Sequence, residues 1–69
     1  MSALTIEVNG QGCVVAAGTT VAAVVAQWCV SPDGIAVARN GEVVPRSAWD
    51  ITVIAASDRL EIVTAAAGG

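Results

Sequence analysis

Leu4-Thr5-Ile6-Glu7-Val8-Asn9-Gly10-Gln11-Gly12-Cys13-Val14-Val15-Ala16 commits the chain to begin with a β-hairpin. Leu4, Ile6 and Val8 alternate with Thr5 and Glu7, the period of a strand with one buried face. The alternation stops at Asn9-Gly10, two residues that tolerate the positive φ of a type I′ turn. Gly12 to Ala16 is then the expected return strand, closing at Ala17-Gly18. The same grammar recurs downstream, where Ile35 to Arg39, Asn40-Gly41 and Glu42-Val43-Val44 read as a second hairpin. Pro45 has no N–H to give a ladder, which suits an edge strand or the exit from one.

Between the hairpins the period changes. Val21, Val24, Val25 and Trp28 fall at i, i+3, i+4 and i+7, the stripe of an amphipathic helix, with Thr19 or Thr20 available as its N-cap. Ala22, Ala23 and Ala26 favour the helix, whereas the β-branched valines weaken it by a few tenths of a kcal/mol each, so packing must complete it. The helix is expected to cover about 11 residues and to end near Val30, where Ser31-Pro32-Asp33-Gly34 fits a type I turn. After the second hairpin, Arg46 to Asp50 predicts a turn or a single 3₁₀ coil. Trp49 reads as a cap on a small core or as a partner contact, and Thr52-Val53-Ile54 as a short extended piece. Ala56-Ser57-Asp58 turns the chain into a last strand, Arg59 to Thr64, with Leu60 and Ile62 on one face and Glu61 and Val63 on the other. The elements run ββαββ, connector, β: an α+β domain whose single helix matches a five-residue strand in length and covers one sheet face.

Composition excludes several function classes. A chain of 69 residues forms one small domain that buries only about 60% of its unfolded surface. The sequence is 55% hydrophobic, yet the uncharged run between Val8 and Asp33 is interrupted by Asn, Gln, Gly and Thr, and its longest apolar block is Val21 to Ala26. That is far short of the about 20 residues needed to span a bilayer, and no basic segment with an apolar block marks a secretory signal. A cytoplasmic protein without membrane contact is expected. Three arginines, six acids and a net charge of −3 leave no basic stripe for phosphates, so nucleic acid is not an expected partner. The acidic excess instead favours docking on a basic protein surface. There is no histidine, lysine or carboxylate dyad for catalysis or metal binding, and Cys13 and Cys29 lack a metal-site spacing and read as small core residues. Asn9-Gly10-Gln11-Gly12 matches no phosphate-binding motif. Asp58, Arg59 and Glu61 read as solvated turn and strand charges.

The last five residues are different in kind. Ala65-Ala66-Ala67-Gly68-Gly69 has no side chain larger than a methyl, so it returns little apolar area against an ordering cost of about 1–2 kcal/mol per residue. Fully extended it reaches about 17 Å. Gly68 and Gly69 can follow a channel too narrow for other residues and present the terminal carboxylate inside another protein, although many chain ends simply fray.

Val8-Asn9-Gly10, Asn40-Gly41-Glu42-Val43-Val44-Pro45-Arg46-Ser47, Asp58-Arg59-Leu60-Glu61-Ile62-Val63-Thr64 and the terminal Gly68-Gly69, in this order and at this length, resemble the thiamine-biosynthesis sulfur-carrier family (ThiS). The Asn-Gly-Glu to Pro-Arg-Ser stretch distinguishes it from the related small subunit of molybdopterin synthase. The resemblance, with fold analogy, implies a ubiquitin-like β-grasp: a mixed sheet of strand order 2-1-5-3-4, the last strand beside and parallel to the first, with one helix packed across one face. Residues 1–64 would form the domain and 65–69 a flexible tail. It also implies a carrier rather than an enzyme. Gly69 is adenylated by an E1-like partner that consumes Mg-ATP, and sulfur from a cysteine desulfurase system replaces AMP. The thiocarboxylate then enters thiazole synthase and gives its sulfur to the thiazole ring. In that scheme Gly69 carries the sulfur, Gly68 gives clearance, Ala66 and Ala67 line the partner's channel, and the strand surface beside Val63 docks the partners. The chain itself holds no cofactor. Two details depart from the family pattern: Ala-Ser-Asp stands where an acidic-Gly-Asp turn is more frequent, and Ala66-Ala67 replaces bulkier residues. A carrier for molybdopterin or another sulfurated metabolite, and a β-grasp interaction or modifier module conjugated to lysines, remain the rival readings.

Overall fold

The computed structural model describes residues 2–28 and 34–64. Both Asn-Gly dipeptides turn as their chemistry requires: φ is +52° and +82° at Asn9 and Gly10, and +52° and +87° at Asn40 and Gly41. Asn9-Gly10 joins strands β1 (Ala3–Val8) and β2 (Gln11–Ala16), which pair antiparallel from Val8↔Gln11 to Ala3↔Ala16. Asn40-Gly41 joins β3 (Ile35–Arg39) and β4 (Glu42–Val44). Ser31, Pro32 and Asp33 of the turn expected over Ser31 to Gly34 and the helix end near Val30 lie outside the described residues, as does Cys29.

The described helix, α1, spans Val21–Trp28. Thr20 is its cap: the Thr20 hydroxyl accepts the Ala23 N–H at 3.2 Å, whereas the Thr19 hydroxyl turns back to the Ala16 carbonyl at 2.6 Å. Val21, Val24 and Val25 are buried as the stripe predicts, but Trp28 is 40% exposed. The core closes instead on Trp49, which stands on the 3₁₀ turn Arg46–Ala48, is buried, and donates its indole N–H to the Val44 carbonyl at 3.0 Å. The Arg46 guanidinium lies 5.3 Å from that ring's centre. With one indole already filling the end of a core otherwise built from Val, Ile and Leu, the second is left at the helix end, partly in water.

Strand β5 (Arg59–Thr64) returns to the middle of the sheet and gives the order β2-β1-β5-β3-β4. It runs parallel to β1, with Glu7↔Arg59 and Val8↔Leu60 in register, and antiparallel to β3, from Ile35↔Thr64 to Arg39↔Leu60. Ile6, Val8, Val15, Val37, Leu60 and Ile62 from the sheet meet Val21, Val24 and Val25 of the helix, with Trp49 and Ile54 from the connector, in a single core. Each such side chain contributes about 1.5–3 kcal/mol on burial, so this layer of aliphatic contacts holds sheet to helix. Val53, beside the buried Ile54, makes an isolated antiparallel bridge to Thr20 and is exposed, the short extended piece the sequence suggests. Cys13 is half-buried and packs against the core as a small apolar residue.

Candidate functional site

Ala66, Ala67, Gly68 and Gly69 lie outside the described residues. What the structure describes is the strand to which they are attached. β5 is hydrogen-bonded on both flanks, and its alternation puts Leu60 and Ile62 in the core while Arg59, Glu61 and Val63 face outward. Thr64, the residue before the tail, sits in register with Ile35 at the start of β3.

Three polar side chains fix β5 along its length. Asn40 stands at its beginning: the Asn40 backbone N–H donates to the Arg59 carbonyl at 2.8 Å, and the Arg59 N–H donates to Asn40 Oδ1 at 3.0 Å. On the other flank Asn9 takes over where β1 ends. Its backbone N–H donates to the Leu60 carbonyl at 2.9 Å, its Oδ1 accepts the Ile62 N–H at 2.8 Å, and its Nδ2 donates to the Ile62 carbonyl at 3.1 Å. Asp58 is the third. Expected to be a solvated turn charge, it is instead only 5% exposed and sits at the centre of a network. Its Oδ2 accepts from Arg39 Nε at 2.7 Å and from the Ala55 N–H at 2.8 Å, and its Oδ1 accepts from Asn40 Nδ2 at 3.0 Å. Burial alone would push this carboxyl up, but the Ala55 N–H, the Arg39 and Asn40 bonds and the Arg39 charge together hold it below the ordinary aspartate range. The turn residue is enclosed because the antiparallel pairing of β3 with β5 brings the Arg39 and Asn40 side chains, 19 and 18 residues away, onto its carboxylate.

The outward face of the sheet is charged along the first part of β5, at Arg59, Glu61 and the neighbouring Glu7, and turns apolar at its Val63 end. Val63 is 56% exposed, its register partner on β3 is Ala36, and Val43 of β4 and Val14 of β2 are exposed as well. Arg59 and Glu61 are solvated as the sequence suggests, and Arg59 reaches Glu7 at 3.4 Å, an exposed pair worth about 0–1 kcal/mol. An open recess of about 390 Å³ beside the second turn is lined by Asn40, Gly41, Ser57, Arg59 and Glu61, at the end of β5 remote from the tail. Among the described residues no cluster of three metal-ligating side chains forms, and no helix is long and apolar enough to cross a membrane.

A five-stranded mixed sheet of this order, crossed by one helix and delivering the chain end from its central strand, defines the ubiquitin-like β-grasp class. The fold matches the crystal structure of a thiamine biosynthesis protein (ThiS) from Geobacter metallireducens with a TM-score of 0.82 and 29% identity, covering 96% of this chain and 100% of that one. The sequence model of the ThiS family matches residues 3–69, so the chain belongs to the ThiS family. No curated protein matches it.

Proposed function

We propose that this chain is a sulfur carrier of thiamine biosynthesis whose cargo is bound at Gly69. The observation that carries the reading is the family match, which extends over residues 3–69 and so includes Gly68-Gly69. Residues 1–64 act as the handle and 65–69 as the arm. A carboxylate is a poor electrophile, so the Gly69 carboxylate first attacks ATP held with Mg in an adenylating partner, releasing pyrophosphate. AMP is then the leaving group when a persulfide from a cysteine desulfurase system attacks the acyl carbon, and a second thiol of that system cleaves the acyl–S–S bond, forming a disulfide and leaving the sulfur on Gly69. The resulting thiocarboxylate is a soft nucleophile at the end of a thin arm, which enters thiazole synthase. Gly68 keeps the arm narrow, and Ala66 and Ala67 line the channel wall with methyl groups only.

The outward face around Val63 serves as the docking surface, with a central strand held on both flanks beneath it. Catalysis belongs to the partners, and the chain works in the cytoplasm as their shared co-substrate. Intact-mass measurement after incubation with the adenylating enzyme, Mg-ATP and a sulfur source tests the reading: one oxygen of Gly69 should be exchanged for sulfur, and deletion of Gly69 should abolish the exchange. An unchanged mass under conditions that charge a related carrier would refute it, and adducts on lysines of other proteins would point to a modifier instead.

A further inference from the structure

We propose that Asn9 is a positioning residue for the exit of β5 at Thr64, acting as a surrogate strand rung that sets the direction in which the strand launches the tail. The proposal rests on the carrier reading above.

Register carries the inference. The pairing of β1 with β5 ends at Val8↔Leu60, because the chain turns away at Asn9-Gly10. From Ile62 onward the β1 flank of β5 has no strand residue in register, while the β3 flank stays paired to Thr64. A strand held on one side only is free to twist about that edge, and a rotation at Ile62 changes the direction in which Thr64 leads into residues 65–69. The Asn9 side chain fills the missing place: its amide has one acceptor and one donor with the geometry of a peptide group, and they meet the Ile62 N–H at 2.8 Å and the Ile62 carbonyl at 3.1 Å. With the Asn9 backbone N–H on the Leu60 carbonyl at 2.9 Å, one residue spans two successive rungs. The contact joins residues 53 apart, so it serves the placement of β5 and not the local turn, which Gly at either position would also permit.

Two variants separate positioning from folding. Asn9→Gly keeps the positive φ of the turn and deletes the amide. Asn9→Asp keeps its size and one acceptor but sets a second acceptor against the Ile62 carbonyl. In the full-length protein both should speed hydrogen exchange of the Ile62 amide about tenfold or more, beyond the smaller change at the Val37 amide, which follows the global loss of stability. In steady-state assays of pyrophosphate release by the adenylating partner, kcat at saturating carrier should fall about tenfold, with KM for the carrier within about twofold, because docking through the sheet face persists while the carboxylate arrives misaligned.

Wild-type charging with kcat unchanged in both variants, or a loss confined to KM and matched by a drop in Tm, would overturn the positioning role and leave the carrier reading intact. Failure of the wild-type chain itself to be adenylated would overturn both.

Discussion

The two Asn-Gly hairpins are nearly the same locally and do different work. Asn9 and Asn40 share φ of +52°, and each is followed by a glycine above +80°. Yet the Asn9 amide grips the middle of β5 at Ile62, whereas the Asn40 amide grips its start, taking the Arg59 N–H and donating to Asp58. The difference follows from strand direction. β1 runs parallel to β5 and so turns away partway along it, while β3 runs antiparallel and turns beside its first residue. A turn signal specifies backbone shape; what the same side chain then bonds to depends on which strand arrives and from which end.

That contrast is open to test. The largest effect should come from Asp58→Ala, which leaves the Ala55 N–H and the Asn40 amide without their acceptor and cuts the Arg39 contact. We expect a loss of about 2–3 kcal/mol in urea unfolding. Next, Asn40→Gly and Asn9→Gly both preserve the turn, so their costs isolate the amides. Asn40→Gly should lose about 1.5 kcal/mol because it also weakens the Asp58 site, and Asn9→Gly about 1 kcal/mol. Equal losses, with exchange accelerating at the same amides, would erase the distinction between the hairpins.

Acid should remove part of the Asp58 contribution. Its folded pKa is depressed below the ordinary 3.8, so the stabilisation is complete above that value and is lost as pH falls through the lower folded one. The stability gap between wild type and Asp58→Asn should therefore narrow as pH drops below about 4 and be constant from there to neutrality. The smallest effect concerns the turn that feeds β5. Ser57 holds φ of +67°, a region where a side chain costs about 1–2 kcal/mol and glycine nothing, partly offset by glycine's greater loss of freedom on folding. Ser57→Gly should raise stability by about 0.5 kcal/mol, read as a small increase in Tm.

Much of the architecture was legible because it is written in short-range terms. Alternation in Leu4 to Val8, the valine stripe from Val21 to Val25 and the two Asn-Gly turns each constrain residues within a few positions of one another, and all appear in the structure. Trp28 and Trp49 show the limit. Both read as candidates for the same small core, and neither spacing nor propensity reveals that only one has room in it. Asp58 shows another, since a charged residue in a turn is ordinarily solvated and it is enclosed here by Arg39 and Asn40, which the pairing of β3 with β5 brings to it.

The candidate site divides in the same way. The small-residue tail, its terminal glycines and the acidic, histidine-free composition are properties of the sequence alone. Tertiary structure decided that β5 lies centrally, that Val63 stays exposed beside Ala36, and that Asn9, Asn40 and Asp58 hold the strand leading to that tail. The physical reason is range. Backbone preference and side-chain period act over a few residues and can be read along the chain, whereas a contact such as Asn9 to Ile62, 53 positions apart, exists only once the whole sheet has closed.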